Sequence, residues 1–196
     1  MPETVLMSTP FCSARVAKVW RRSWKRSLGS PARSSTRCSM CSTLSGEMVR
    51  LAAKRGRATY FVANLASIPV ADASFDWTVH LFALFQEREF ARILKPGGRL
   101  YTVVPGRRHL WGLKEAPYDT SYENDEALPA TSTLILRGTQ RVTAAIRLES
   151  SVDVQAVFRM TPYYYRTGSE DKAKLESLTS LGTEIGFVIG EYEKPR

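Results

Sequence analysis

Three side chains that could take part in chemistry are adjacent at Arg107, Arg108 and His109, two residues after the β-rich run Arg99–Val104. Arginine suits phosphate groups, because its planar guanidinium donates several hydrogen bonds at once. An imidazole can move protons near neutral pH or contact a ligand. Both arginines could equally be solvated loop residues and His109 a surface residue, so the residues alone leave the alternatives open.

A second cluster that could bind a ligand is the run Tyr163-Tyr164-Tyr165. Aromatic rings stack on the unpaired bases of RNA. We interpret this run as strand-like, and adjacent strand residues face opposite sides, so at least one tyrosine is expected in the core. Stacking is then expected of Tyr163 or Tyr165.

A metal site is not expected. Cys38 and Cys41 have ligand spacing, but a structural zinc site needs four ligands and the chain has no second such pair. The two histidines, His80 and His109, are distant in sequence from the cysteines. His80 lies inside an apolar segment, which indicates a packed, hydrogen-bonded core residue.

The elements that must position these residues alternate between strand and helix. An apolar strand is expected at Phe75–Phe82 and an amphipathic helix at Gln86–Leu94. Lys95-Pro96-Gly97-Gly98 then ends the helix before the strand Arg99–Val104. This order predicts an α/β fold with a mainly parallel sheet and helices on both faces.

Weaker patterns extend this reading in both directions. Ser45 is expected to cap a helix that ends at Gly56. The other expected elements are a strand at Tyr60–Ala63, a strand at Thr131–Gly138, a helix or strand at Arg141–Leu148, helices at Val152–Met160 and Lys172–Leu181, and a final strand at Gly186–Tyr192 that closes the sheet as part of an antiparallel pair.

The chain of 196 residues carries a net charge of +9, and that charge is unevenly distributed. Residues 1–43 hold eight of the 28 basic residues and one of the 19 acidic ones, so the rest of the chain is nearly neutral. This basic Ser/Arg-rich segment also holds all three cysteines. We predict two parts, an aberrant and poorly ordered segment at 1–43 and a globular domain at 44–196. The sparse cysteines favour a cytoplasmic protein, and no apolar run is long enough for a membrane span.

The domain resembles class I S-adenosylmethionine-dependent methyltransferases in the order P-x-x-D-x-S-F-D (69–76), strand, helix, L-K-P-G-G (94–98), strand. More narrowly, it resembles the 23S rRNA (guanine-N1)-methyltransferase family. The specific pieces are Val104 to Leu110 (V-P-G-R-R-H-L), Leu113-Lys114, and Met160 to Tyr163 (M-T-P-Y). The resemblance implies a Rossmann-like fold and transfer of a methyl group to N1 of a guanine in a ribosomal RNA hairpin.

The resemblance also implies site residues. The cofactor S-adenosylmethionine is expected to contact Asn64, Leu65, Phe82, Ala83 and His109. The RNA is expected to contact Arg107, Arg108, Lys114 and Tyr163. No catalytic residue is implied, and Glu115 and Asp119 are only candidates for removing the guanine proton.

The front of the chain departs from this family. The four-cysteine zinc module is missing, so no zinc is expected. Met7 to Phe11 (M-S-T-P-F) stand where an acidic residue and a G-x-G loop approach the cofactor, and Thr43 stands where an acid binds the ribose. We interpret residues 7–43 as an out-of-frame translation, and expect a poorly stable product if the first strand, starting near Glu3–Leu6, is lost.

Two alternatives remain beside the rRNA enzyme. One is a methyltransferase that acts on a small molecule, which the P-G-R-R-H-L and M-T-P pieces disfavour. The other is a catalytically dead methyltransferase fold that binds RNA or protein, which the missing glycine loop favours. The oligomeric state is not predicted.

Overall fold

The computed structural model describes residues 4–8, 37–38, 58–59, 63–117, 121–161 and 163–196. Within these residues the chain forms seven strands and five helices. In chain order they are β1 (Thr4–Ser8), β2 (Arg37–Cys38), β3 (Ala58–Thr59), β4 (Phe75–Leu81), α1 (Glu87–Ile93), β5 (Leu94–Pro105), α2 (Trp111–Glu115), β6 (Ile135–Leu148), α3 (Ser151–Arg159), α4 (Tyr163–Arg166), α5 (Ser169–Glu176) and β7 (Leu181–Glu193).

All seven strands join one sheet in the order β3-β2-β1-β4-β5-β7-β6. The strands from β3 to β5 are parallel, whereas β7 runs antiparallel to both β5 and β6. The predicted Rossmann-like α/β fold, with a mainly parallel sheet and a closing antiparallel pair, is therefore confirmed.

The first strand is present and central. Thr4–Ser8 pairs with β4 on one side, from Thr4 opposite Trp77 to Ser8 opposite Leu81, and with β2 on the other. The expected strand start near Glu3–Leu6 is thus confirmed, and the sheet keeps this interior strand. Two stretches of the basic segment 1–43 lie in the sheet, namely β1 and β2.

The L-K-P-G-G stretch differs from its prediction. We expected a turn at 95–98 between helix and strand, but β5 begins at Leu94, immediately after α1. The reason is pairing at both ends of the stretch: Leu94 lies opposite Phe75, and the Gly97 amide donates to the Lys194 carbonyl at 2.9 Å. Gly97 takes a φ of +75°, a left-handed conformation that favours glycine.

Replacing Gly98 by alanine is expected to destabilise the protein. A Cβ there would lie 2.8 Å from the Lys95 carbonyl oxygen and 3.2 Å from that of Asp76, and backbone atoms cannot move aside easily. We expect a loss of about 1–3 kcal/mol, as for other overpacked sites. Urea unfolding measures it, with Gly168→Ala as the control, since a Cβ at Gly168 meets nothing within 4 Å. Equal stability of the two variants would contradict the expectation.

In the C-terminal half, three predicted elements are corrected and one is confirmed. The stretch expected as two elements, 131–138 and 141–148, is the single 14-residue strand β6, whose register with β7 shifts between Leu136 and Gly138 without a break in the strand. The predicted helix 152–160 is confirmed as α3, capped by the Ser150 side chain. The predicted helix 172–181 begins earlier and ends at Glu176, because the longer β7 already starts at Leu181.

The tyrosine run was expected to be strand-like, and this prediction is wrong. Residues 163–166 form the short helix α4, in which the Thr167 amide donates to the Tyr163 carbonyl at 2.9 Å. Packing overrides the β propensity of tyrosine here, because Tyr163 and Tyr164 both lie against a buried apolar cluster.

The apolar core consists of two clusters. The first cluster, around Phe90, packs α1 against β4, β5 and Tyr192. The second cluster, around Phe158, packs α2, α3 and α5 against β5 and β7. His80 is buried beside the first cluster, with its ring centre 5.1 Å from that of Phe90, so the prediction of a packed core residue is confirmed. The expected hydrogen bond is not formed, because neither ring nitrogen has a partner of ordinary geometry among the described residues.

Several predictions fall outside the described residues. They are the helix from Ser45 to Gly56, the position of Thr43, the Cys38–Cys41 pair as a unit, Asp119, and most of the strand at Tyr60–Ala63, which follows the described β3. Among the described helices, none is long and apolar enough to cross a membrane.

Candidate functional site

The candidate site lies where β4 and β5 end, at the carboxyl edge of the parallel strands. Ligands of open α/β sheets bind at this edge. Phe82 follows β4 directly, and its amide donates to the Val103 carbonyl at 3.2 Å. Its φ is +49°, a conformation that is strained for a bulky residue. Strain of this kind is retained where the surrounding structure enforces it, often at functional sites.

A tight turn follows β5. The Gly106 amide donates to the Gly186 carbonyl at 2.8 Å, and the His109 amide donates back to the Gly106 carbonyl at 3.0 Å. Gly106 is favoured here, because a Cβ would lie 3.0 Å from the Gly186 backbone, which is closer than an ordinary contact. The turn ends on Leu110, whose φ of +56° is also left-handed and whose amide donates to the Glu184 carbonyl at 2.7 Å.

The turn places His109 against two aromatic rings. The His109 ring centre lies 5.6 Å from that of Phe82 and 5.0 Å from that of Phe187, and the two phenyl centres are 5.7 Å apart. The structure therefore brings together two of the residues expected at the cofactor, Phe82 and His109. We call Phe82, His109 and Phe187 the aromatic triplet.

His109 is buried and uncharged. The Gly186 amide donates to its Nδ1 at 3.3 Å, which requires an unprotonated Nδ1. Burial lowers the pKa of His109 to about 4, and the charge of nearby Lys114 acts in the same direction. The imidazole is therefore neutral at physiological pH.

Lys114 and Tyr163, both expected at the RNA, also lie together. Lys114 is only 2% exposed, and its ammonium donates to the Tyr122 carbonyl and to Asn124 Oδ1, both at 2.8 Å. The ammonium also faces the rings of Tyr122 and Tyr163, at 4.5 and 5.2 Å from their centres. Burial lowers the pKa of Lys114. The Tyr163 hydroxyl donates to Asn124 Oδ1 at 3.1 Å.

Arg107 and Arg108 are exposed, but their surroundings differ. The Arg107 guanidinium lies 3.5 Å from Glu123 and 3.9 Å from Glu126, so its charge is partly compensated. The Arg108 guanidinium lies 5.0 Å from the ring centre of Trp111 and has no ion pair within the described residues. Arg108 is thus the more available cation for a phosphate.

The other expected cofactor residues have surroundings of their own. Asn64 is exposed, and its Oδ1 accepts the Ala66 amide at 2.9 Å. Leu65 packs against the first core cluster, whereas Phe82 packs against the second. Ala83, next to Phe82, is partly exposed.

The loop after β3 is held by a network that the sequence analysis missed. Arg92, on α1, donates to the carbonyls of Ile68 and Val70, both at 2.8 Å. It also pairs with Asp72 at 2.6 Å and Glu89 at 2.7 Å. Asp72 is the acid of the P-x-x-D motif, so the motif together with the arginine in the predicted helix could have predicted this ion pair.

Asn124 and Phe187 were also missed. Asn124 stands in an acidic stretch without regular secondary structure, and nothing in its neighbourhood of sequence indicates a buried contact. Phe187 reads only as an apolar residue of the last strand. Within the described residues, no group of three or more His, Cys, Asp or Glu side chains could hold a metal ion.

Comparisons with known proteins agree with this architecture. A family model described as a methyltransferase domain matches residues 33–102, which include β2 to β5 up to Thr102. The match begins at residue 33, inside the segment 7–43 that we interpreted as an out-of-frame translation. No curated protein matches the chain.

Three solved structures share the fold at low identity. A Bacillus halodurans protein provisionally assigned as a methyltransferase is 14% identical with a TM-score of 0.50, over 99% of this chain and 93% of that one. The YcgJ protein of Bacillus subtilis is 12% identical with a TM-score of 0.50, over 100% and 92%. The [4+2]-cyclase SpnF is 16% identical with a TM-score of 0.50, over 99% and 74%.

These likenesses concern the fold, since one fold carries many activities. The same fold is indicated by the sheet order, by the closing antiparallel pair and by the matched family model. The chain has the class I methyltransferase fold, with a methyltransferase domain recognised over residues 33–102.

Proposed function

We propose that the protein transfers a methyl group from S-adenosylmethionine to N1 of a guanine in 23S rRNA, in the cytoplasm. The class I fold and the methyltransferase-domain match support the reaction class. The P-G-R-R-H-L and M-T-P-Y motifs support a guanine of 23S rRNA as the substrate. The observation that carries the proposal is the neutral His109, held by a strained turn against Phe82 at the ligand edge of the sheet.

The described residues at this edge fit the cofactor. S-adenosylmethionine supplies a methyl group activated by a positively charged sulfonium. Aromatic faces attract cations, and Phe82 and Phe187 provide two such rings. His109 adds no charge of its own, because its pKa is about 4. A protonated imidazole at the same place would repel the sulfonium.

Each expected cofactor residue then has a role that its surroundings allow. Phe82, Ala83 and His109 would form the wall nearest the reacting atoms, where His109 and Phe187 are buried and Phe82 is partly exposed. Asn64 and Leu65 would contact the adenine end from the loop that Arg92 holds in place. The residues that would meet the methionine end, after β1, lie outside the described part of the chain.

On the RNA side, we assign phosphate contacts to Arg107 and Arg108. Arg108 carries the larger share, because Arg107 already has two acidic neighbours. Tyr163 is half-buried and can present only part of its ring to a base. The Lys114 ammonium already donates to Tyr122 and Asn124. Lys114 would therefore stabilise the residues that face the RNA from the interior of the protein.

The chemistry at guanine N1 requires the loss of one proton as the methyl group arrives. Glu115 is exposed and accepts a hydrogen bond from the indole of Trp111, so it is close to Arg108 and not to the triplet. We therefore propose that catalysis rests on positioning the guanine against the methyl donor, with the proton passing to solvent. The guanine must leave its stack to reach this edge.

A methylation assay tests this function. We expect methyl transfer from labelled S-adenosylmethionine to a 23S rRNA transcript, with 1-methylguanosine released on digestion. Arg108→Gln should lower the rate at subsaturating RNA by about 3–10-fold, since one phosphate contact is worth on the order of 1 kcal/mol. Arg159→Gln, an exposed arginine on α3, is the control and should change little. Methyl transfer only to small molecules, or equal rates for both variants, would contradict the proposal.

A second candidate is an inactive fold that binds the RNA without the cofactor. The observation in its favour is the sequence after β1, which lacks both the acid and the glycines of the cofactor loop. Under this candidate the chain binds the rRNA hairpin, Arg108→Gln still weakens binding, and no methyl group is transferred.

A further inference from the structure

Asn124 lies at the centre of the contacts that hold the turn 106–110. Its side-chain amide donates to the Gly106 carbonyl at 3.0 Å and to the His109 carbonyl at 3.4 Å. Its backbone amide donates to the Arg107 carbonyl at 2.9 Å. One residue thus binds three carbonyls of the turn that presents His109.

The opposite side of the same carboxamide binds two helices. Asn124 Oδ1 accepts from Lys114 on α2 at 2.8 Å and from the Tyr163 hydroxyl on α4 at 3.1 Å. Lys114 is almost completely buried, so its ammonium fixes the direction in which Oδ1 points. The Nδ2 group is thereby directed at the turn.

The turn needs such support because it is strained. Leu110 holds a left-handed φ of +56° although it is not glycine, and such conformations persist only where the surroundings enforce them. On one side the Glu184 carbonyl accepts the Leu110 amide at 2.7 Å. On the other side the Asn124 side chain donates to the turn carbonyls of Gly106 and His109.

We infer that Asn124 is a positioning residue, which holds the strained turn 106–110 so that His109 faces Phe82 at the cofactor edge. A carboxamide suits this role, because its NH2 group donates to two turn carbonyls while its oxygen accepts from Lys114 and Tyr163. The inference rests on the proposed function for its effect on the cofactor, but the positioning itself is a property of the fold.

The substitution Asn124→Asp separates positioning from general stability. A carboxylate still accepts from Lys114 and Tyr163, and gains a charge-assisted bond to the buried ammonium. The carboxylate lacks both N–H donors of the carboxamide. Its negative oxygen would face the carbonyl oxygens of Gly106 and His109, to which the amide donates. The turn should therefore loosen while the anchor to the helices remains.

The matched control is Tyr192→Phe. Tyr192 is buried, and its hydroxyl donates to the Pro129 carbonyl at 2.7 Å in the first core cluster, away from the turn. This variant also loses a buried hydrogen bond but leaves the turn intact. We expect both variants to melt within a few degrees of each other.

Amide hydrogen exchange and cofactor titration are the two measurements. In Asn124→Asp the amides of His109 and Leu110 should exchange at least tenfold faster than in the unsubstituted protein, and the Kd for S-adenosylmethionine should rise at least tenfold. Tyr192→Phe should keep both values within about twofold.

The outcomes separate the two claims. Unchanged exchange at His109 and Leu110 in Asn124→Asp overturns the inference, as does faster exchange with an unchanged Kd. Failure of the unsubstituted protein to bind S-adenosylmethionine overturns the proposed function. In that case the exchange rates alone decide whether Asn124 positions the turn.

Discussion

Lowering the pH from 7.5 to 5.0 should destabilise the protein by about 4 kcal/mol, shared between its two histidines. Burial is the main cause that lowers the pKa of both His80 and His109 to about 4. An unfolded histidine has a pKa of about 6.5. Between these values the unfolded chain binds more protons than the folded one, so stability is full above pH 6.5 and falls as the pH approaches 4.

The surroundings of His80 explain why it resists protonation. Its ring contacts Phe85 and Phe90, with ring centres 5.7 and 5.1 Å away. The backbone of Ala83 and Leu84 lies close enough to favour the charged ring slightly, yet neither ring nitrogen forms a hydrogen bond of ordinary geometry with the described residues. A charge there would be almost unsolvated, and this cost outweighs the backbone contribution.

Urea unfolding at pH 7.5 and 5.0 measures the effect. The range stays above the pKa of ordinary carboxyl groups, so the histidines dominate it. His80→Gln cannot titrate and should lose only about half as much stability over the same range, about 2 kcal/mol. A loss of the same size in His80→Gln and the unsubstituted protein would contradict the assignment of His80 as one of the two groups.

Arg92→Ala is expected to cost roughly 2–4 kcal/mol and to weaken cofactor binding. The guanidinium joins Glu89 and Asp72 to the carbonyls of Ile68 and Val70. Without it, the nearly buried carboxylate of Glu89 has fewer partners. Removing one partner of such a pair is strongly destabilising, because it leaves the other charge buried and poorly compensated. The loop that carries Asn64 and Leu65 also loses its attachment to α1.

The same change should alter the response to acid. The hydrogen bond from Arg92 is the main reason that the pKa of Glu89 is lowered. A lowered carboxyl pKa contributes stability above its ordinary value of about 4.3, and that contribution is lost as the pH falls below it. Arg92→Ala should therefore lose less stability between pH 4.5 and 3 than the unsubstituted protein.

Unfolding in urea and titration with S-adenosylmethionine measure both effects. Arg92→Lys keeps the charge but lacks the fork that reaches two carbonyls and two carboxylates, so it should restore less than half of the lost stability. Arg159→Ala, an exposed arginine also in the last turn of a helix, is the control and should stay within 0.5 kcal/mol. A fully stable Arg92→Lys variant would show that charge alone, not the fork, matters.

The sequence predicted the α/β framework because periodicity and breakers are local signals. The strand 75–82 and the helix 86–94 emerge from such patterns within one or two residues of β4 and α1. Local signals misled where pairing or packing decides: Gly98 lies within β5, Gly138 within β6, and the tyrosine run forms α4.

Only part of the candidate site could be predicted from the sequence. Motifs and family resemblance led to Phe82 and His109, which do meet. They could not show that Lys114 is buried or that Asn124 binds it, because both depend on how a stretch without periodicity folds back over the turn. Contacts between loop residues distant in sequence leave no local pattern.

The most direct test of the central claim is calorimetric titration of the purified chain with S-adenosylmethionine. We predict saturable one-to-one binding with a micromolar Kd, which weakens at least tenfold in His109→Ala, because the triplet loses one of its three rings. A folded chain that binds no S-adenosylmethionine would contradict the account and would leave the class I fold without the chemistry we propose for it.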